Sequence, residues 1–82
     1  MSIFLNRVKK GTSVIVVGFS EKTDQKIKRR LLELGFLKDT VITLSEISFL
    51  KEVLLLELNG YAISLRSDIA KNIQVKEIGD KK

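Results

Sequence analysis

The sequence predicts a mainly β fold, a small barrel of about five strands with one longer helix at about residues 24–34 and one short helix at about residues 67–72. The four consecutive β-branched residues of Val14–Val17 are typical of a buried strand. Asn59–Gly60 lies between two alternating segments and is the dipeptide preferred in two-residue hairpin turns. Short strands with few helical connections favour a closed or nearly closed sheet, because closure removes exposed strand edges.

Length and composition indicate one cytoplasmic domain. The 82 residues suit a single domain over 1–82, with its core at about 5–77 and a flexible tail at 78–82. The chain has no cysteine, no signal-peptide pattern at its start and no apolar run near the roughly 20 residues that a membrane helix needs. We therefore expect a small basic cytoplasmic protein that does not insert into a membrane.

The first elements in the chain are a strand and the longer helix. Val14–Val17 should be buried on both faces and end at Gly18. Thr23 is the expected N-cap of the helix, and Gly35 stands at the C′ position. One side of the helix is apolar (Ile27, Leu31 and Leu34, with Leu32 partly covered), and the opposite side is basic (Lys26, Arg29 and Arg30).

The second half of the chain contains the remaining strands. A strand at about Thr40–Ile47 precedes the hairpin Val53–Leu58 and Tyr61–Arg66, and Ile73–Lys76 is the expected closing strand. The two-residue turn sets the hairpin register. One face then pairs Leu58 with Tyr61, Leu56 with Ile63 and Leu54 with Leu65, while the other pairs Glu57 with Ala62, Leu55 with Ser64 and Val53 with Arg66.

The residue types needed for common catalytic sites are missing. Histidine and cysteine are both absent, which excludes a Ser-His-Asp or Cys-His arrangement and removes the commonest transition-metal ligands. The dispersed glycines form no phosphate-binding loop. The nearest carboxylate grouping, Glu46, Glu52 and Glu57, is interpreted as solvated surface charge. We therefore predict a protein that is not an enzyme and has no cofactor and no metal site.

Three segments in order resemble the FeoA family over about Leu5–Val75. They are the opening Leu5–Gly11, the helix end Arg29–Phe36 with its Leu-Gly-hydrophobic element, and Gly60–Arg66 followed by a short helix and Ile73–Val75. Two loops depart from the family pattern. Lys38–Asp39 stands where the family usually has Pro-Gly, and the loop Ser48–Lys51 lacks the usual Gly or Pro.

The resemblance implies an SH3-like barrel and a role in bacterial ferrous-iron uptake. FeoA-like proteins are small cytoplasmic accessory proteins that are thought to bind and modulate FeoB, a GTP-dependent membrane transporter, through its cytoplasmic region. On this basis we expect a FeoB-like partner that recruits the protein to the inner face of the membrane. The family is also linked to transition-metal-ion binding, and related domains in metal-dependent repressors serve protein contacts.

Two surface groups are candidate partner-binding sites. Phe49 and Leu50, followed by Lys51, form an apolar loop that is either an exposed anchor (for the partner or for weak self-association) or a cap that folds back onto the barrel. Lys26, Arg29 and Arg30 are either a docking patch for an acidic surface or a solvated helix face with an Asp24–Lys28 pair.

Two alternative functions are an SH3-like protein-interaction domain akin to that of metal-dependent repressors, which the resemblance implies, and nucleic-acid binding. The sequence pI of about 9.7 suits the latter, and small barrels often bind nucleic acid. Single-strand binding, however, uses aromatic side chains as stacking platforms. Tyr61 and Phe36 are expected in the core, and Phe4 and Phe19 are scattered along the chain. Nucleic acid is therefore disfavoured as a partner.

Overall fold

A computed structural model describes residues 2–78 of the chain. It contains six strands and two α-helices: β1 (Ile3–Phe4), β2 (Ser13–Phe19), α1 (Gln25–Glu33), β3 (Val41–Ile47), β4 (Val53–Leu58), β5 (Tyr61–Arg66), α2 (Ser67–Ala70) and β6 (Ile73–Glu77). A 3-10 turn over Leu5–Arg7 follows β1. Of the predicted tail, residues 79–82 lie outside the described residues, and Ile78 is exposed.

All strands belong to one antiparallel sheet with the order β1-β6-β2-β3-β4-β5. The sheet is open, because β1 and β5 are its two edges. The mainly β prediction is confirmed, with six strands in place of about five. The additional strand, Ile3–Phe4, has only two residues, which is too short to show an alternating pattern, and it pairs with β6.

The strand β2 contains the predicted β-branched run and extends it at both ends. Val14 and Val16 are completely buried, whereas Ile15 and Val17 are only half-buried. The prediction that both faces are buried therefore holds for the face of Val14 and Val16 and is wrong for the face of Ile15 and Val17. A bulge between Val16 and Gly18 shifts the pairing with β6, and such bulges increase the local bend of a sheet.

The hairpin β4–β5 has the predicted bounds and all six predicted residue pairs. Asn59 and Gly60 both have positive φ, +53° and +85°, as a type I′ turn requires. Leu54, Leu56 and Leu58 are buried under the sheet. Tyr61 was expected in the core but is 46% exposed, because it lies on the edge strand beside the turn.

The helix α1 is capped by a different residue from the one predicted. Asp24, not Thr23, is the N-cap, and its Oδ1 accepts a hydrogen bond of 2.7 Å from the backbone N–H of Lys26. The Asp24–Lys28 ion pair is not formed, because that carboxylate caps the helix and Lys28 Nζ lies 5.9 Å from the centroid of the Phe19 ring. Leu31 is buried, and Leu32 is exposed.

The core lies on the face of the sheet that carries Val14, Val16 and Leu56, and α1 and α2 contribute Leu31 and Ala70 to it. Phe36 is its largest completely buried side chain. The short helix α2 ends at Ala70, two residues earlier than predicted, and Ala70 and Ile73 are completely buried. The other buried apolar residues are Leu5, Val8, Ile42, Leu44, Leu54, Leu58, Leu65 and Val75.

The turn before β3 adopts the conformation that suits Pro-Gly although it contains neither residue. The Thr40 N–H donates to the Leu37 carbonyl (3.0 Å), and Asp39, the third residue of this four-residue turn, has φ +73°. A positive φ at the third position is the mark of a type II turn, in which proline is favoured at the second position. Lys38 occupies that second position.

We predict that Lys38→Pro raises the free energy of unfolding by about 0.4–1 kcal/mol, because proline restricts the unfolded chain at a position that suits its φ. Chemical denaturation of the variant measures the change. Lys38→Ala is the control, since it removes the charge without adding the ring. A destabilised Lys38→Pro variant would contradict the turn assignment.

Candidate functional site

The loop between β3 and β4 presents two apolar side chains to solvent. Phe49 is 97% exposed and Leu50 is 68% exposed. The alternative in which they fold back and cap the barrel is therefore wrong. Lys51 is exposed as well and takes φ +61° in the turn. We call Phe49 and Leu50 the apolar tip.

The apolar tip stands on an ordered turn. The Ser48 hydroxyl accepts hydrogen bonds from the backbone N–H groups of Glu52 (3.0 Å) and Val53 (3.1 Å). The Ser48 carbonyl accepts from Lys51 N–H (2.8 Å), and the Ser48 N–H donates to the Val53 carbonyl (2.9 Å). These four bonds fix the backbone at the base of the loop, so the loop itself is ordered before any partner arrives.

A groove of about 400 Å³ lies between α1 and the end of β5. We call it the α1–β5 groove. Its floor and walls are apolar (Ile27, Leu31, Leu34, Leu65 and Ile69), and its polar lining consists of Ser64 and three cationic side chains (Lys26, Arg30 and Arg66). The structure thus brings together two of the three helix residues predicted as a basic patch. The third, Arg29, is exposed but does not line the groove.

The apolar tip and the α1–β5 groove lie at the same end of the hairpin. Val53 at the start of β4 pairs with Arg66 at the end of β5. The Ser67 N–H donates to the Glu52 carbonyl (2.8 Å), which ties the base of the loop to the start of α2. Arg66 thus pairs with a residue at the base of the loop and also lines the groove.

The position of α1 beside β5 is fixed where the helix ends. Gly35 has φ +109°, and the chain there forms a Schellman motif: Phe36 N–H donates to the Leu31 carbonyl (3.0 Å) and Gly35 N–H to that of Leu32 (3.1 Å). The Tyr61 hydroxyl donates to the Leu34 carbonyl at 2.6 Å. Phe36 thus anchors the helix end in the core, and Tyr61 joins it to β5.

The three predicted carboxylates are surface groups, as expected. Glu46 forms an ion pair with Lys10 at 3.1 Å, and the Ser45 hydroxyl donates to Glu57 at 2.7 Å. Glu52 is exposed as well. Within residues 2–78 no three Asp or Glu residues lie close enough together to hold a metal ion. With no histidine or cysteine in the sequence, the described residues do not fit a transition-metal site.

The aromatic residues form no stacking surface. Phe36 is buried, and Phe4 and Phe19 are half-buried. Phe49 lies on the loop and Tyr61 on the edge strand beside the opposite end of the hairpin, so the two exposed rings are far apart along the sheet.

Neither helix in the described part of the chain is long and apolar enough to cross a membrane.

Sequence reasoning identified the residues of the apolar tip but not the α1–β5 groove. Arg66 ends a predicted strand and Ile69 lies in the predicted short helix, and nothing in their spacing relates them to α1. The sequence feature that could have indicated a contact between β5 and another element is the Tyr61 hydroxyl, because a polar group on a predicted core face needs a hydrogen-bond partner.

The comparisons with known proteins agree on one family. A family model described as "FeoA domain" matches residues 3–77. A Campylobacter jejuni protein, provisionally named Fe(2+) transport protein A, is 34% identical over 74 residues, which cover 90% of this chain and 97% of that protein.

Solved structures give the same result. An FeoA-like protein from Clostridium acetobutylicum has a TM-score of 0.87 at 28% identity, covering 99% of this chain and 92% of that one. A zinc complex of FeoA from Stenotrophomonas maltophilia has a TM-score of 0.78 at 28% identity, covering 90% of this chain and 89% of that one. That protein is described as a prokaryotic SH3-domain protein and a candidate activating factor of ferrous-iron transport. The expected SH3-like fold is therefore confirmed.

The same fold occurs as one part of a longer protein. A manganese-dependent transcriptional repressor has a TM-score of 0.85 at 18% identity, and the match covers 94% of this chain but 37% of the repressor. At this identity the likeness concerns the fold alone.

We predict that Gly35→Ala lowers the free energy of unfolding by about 2–3 kcal/mol, because it forces an L-residue into positive φ and displaces the Tyr61 hydroxyl. An added Cβ would lie 2.6 Å from that oxygen. Urea denaturation measures the effect. Gly11→Ala is the matched control, since Gly11 has φ +86° but no atom within 4 Å of an added Cβ. Equal costs for the two variants would contradict the packing role of Gly35.

Proposed function

Because this chain belongs to the FeoA family, we propose that it is a non-enzymatic cytoplasmic accessory protein of bacterial ferrous-iron uptake that binds and modulates a FeoB-type GTP-dependent membrane transporter. It would reach the inner face of the membrane through that partner. Ferrous iron is the cargo of the transporter in this account, and no metal is assigned to this chain.

The apolar tip is the observation that supports this proposal best. Phe49 and Leu50 stand on a turn whose backbone is already fixed by hydrogen bonds to Ser48, so a partner that buries them need not also order the loop. Burying the two side chains contributes about 1.5–3 kcal/mol each. A few buried anchor residues commonly carry most of the binding energy at an interface, and aromatic residues such as Phe49 are enriched there.

The basic surface supports an acidic partner surface. The chain carries fifteen Lys and Arg against ten Asp and Glu, a net charge of +5. Exposed cations of this kind mainly raise the association rate and orient the complex, while buried apolar contacts supply affinity. Lys26, Arg29 and Arg30 are all exposed and serve this orienting role in our proposal.

The proposed mechanism is a shift of the transporter between conformations. A protein that binds one conformation of a partner more tightly than another changes the populations of the two states by that difference in affinity. A docking protein therefore needs a rigid contact surface and no reactive group, and the held loop base and the absence of histidine and cysteine agree with this requirement.

We predict that the double variant Phe49→Ser, Leu50→Ser binds the purified cytoplasmic region of a FeoB-type transporter at least tenfold more weakly than the wild type, because the two side chains no longer bury apolar surface. Pull-down followed by calorimetric titration, with and without guanine nucleotide, measures the change.

The matched control for the apolar tip is Leu37→Ser, Val41→Ser. These two residues are 51% and 49% exposed; Leu37 opens the turn before β3 and Val41 begins β3, at the opposite end of that strand from the loop. Circular dichroism establishes that both double variants are folded. No binding by the wild type would contradict the proposed function, and equal binding by both double variants would contradict the assignment of the tip.

A further inference from the structure

The α1–β5 groove is a second candidate contact surface, and it combines an apolar floor with a cationic rim. We propose that it binds a short extended segment of a partner protein, one that carries an apolar anchor residue with carboxylates on either side. This goes beyond the proposed function in naming a second site and its ligand chemistry. It does not depend on which protein supplies the segment.

The apolar part of the groove is suited to anchor residues. Leu31 and Leu65 are buried at its base, while Ile27, Leu34 and Ile69 are partly exposed in its walls. A volume of about 400 Å³ is within the range of ligand-binding clefts and accommodates one or two large apolar side chains. The floor therefore favours Leu, Ile or Phe as the anchor.

The charges around the groove favour an anionic ligand. Lys26, Arg30 and Arg66 line it, and no carboxylate does. Lys26 and Arg30 are four residues apart on α1, where like charges repel each other. Within residues 2–78 neither of them has an ion-pair partner, and Arg66 meets only Asp68, at 3.4 Å, on the exposed side of α2. Carboxylates on a bound segment would neutralise these three cations.

The edge of the sheet offers main-chain hydrogen bonds to an extended segment. In the β4–β5 hairpin the pair next to the turn, Leu58 and Tyr61, is hydrogen-bonded, so bonding alternates along β5. The backbone groups of Ala62 and Ser64 therefore point away from β4, along the open edge. Ser64 lines the groove, and a segment that adds to this edge would place alternate side chains against the apolar floor.

A polypeptide fits these features better than a nucleic acid does. No aromatic side chain lines the groove, whereas binding of single strands depends on stacking bases on aromatic rings. The second surface depression, over the outer side of β3–β5, is lined by Glu57 and by no cation. Of these two depressions, it is the α1–β5 groove that combines an apolar floor with a cationic rim.

A display selection tests the ligand chemistry without the transporter. Random 12-residue peptides are selected on the intact chain, and the consensus peptide is labelled for fluorescence polarisation. We expect a consensus with Asp or Glu on either side of Leu, Ile or Phe. We also expect at least tenfold weaker binding to the double variant Lys26→Glu, Arg30→Glu. The matched control Lys9→Glu, Lys76→Glu makes the same change in net charge at exposed residues outside the groove and should bind normally.

Each other outcome overturns the proposal. No selected peptide, a consensus without carboxylates, or equal losses in the two double variants would show that the groove is not a site for acidic segments. A dT₁₅ oligonucleotide that binds the wild type more tightly than the peptide, and loses binding in the α1 variant, would make the groove a nucleic-acid site. The Phe49→Ser, Leu50→Ser variant should still bind the peptide, because neither residue lines the groove. Failure of the peptide experiment would leave the transporter-binding test of the apolar tip unaffected.

Discussion

The junction at Gly35 is the constraint on which the arrangement of the molecule depends. Only a residue without Cβ fits there, since φ is +109° and the Tyr61 hydroxyl occupies the space that a side chain would need. The chain can therefore leave α1 abruptly and place Phe36 in the core, while Tyr61 binds the last carbonyl of the helix end. A helix of nine residues is marginal alone, so this fixation and the burial of Leu31 are what hold α1 beside the open edge of β5.

Two candidate contact features lie at one end of the hairpin, and Arg66 takes part in both, since it pairs with Val53 beside the loop and lines the groove. Val53, the first residue of β4 after the β3–β4 loop, pairs with Arg66 at the end of β5. The tip of that loop exposes Phe49 and Leu50. The helix supplies the other wall of a cationic groove. Buried charged residues are absent from the described part of the chain, as are clustered metal ligands. The apolar tip and the cationic groove are the surface features on which the proposed binding role rests.

The sequence predicted local structure well and the relation between distant segments poorly. The Asn59–Gly60 turn determines the hairpin register by itself, so every pair was predicted correctly. Thr23 and Asp24 are both good N-cap residues, so the sequence alone does not separate them. In the structure Asp24 Oδ1 accepts from the Lys26 N–H, whereas the Thr23 hydroxyl points to Asn72 Oδ1, 3.5 Å away. Exposure of the apolar tip and formation of the groove depend on tertiary packing, which spacing along the chain does not encode.

Mapping the contact surface by NMR tests the central claim most directly. The uniformly ¹⁵N-labelled chain is titrated with the unlabelled cytoplasmic region of a FeoB-type transporter, and amide chemical shifts are followed. The account predicts the largest changes at residues 48–51 and 64–69 and along α1, all of which lie around Arg66. Changes confined to β1 and β6, at the other edge of the sheet, or no changes at saturating concentration, would contradict it.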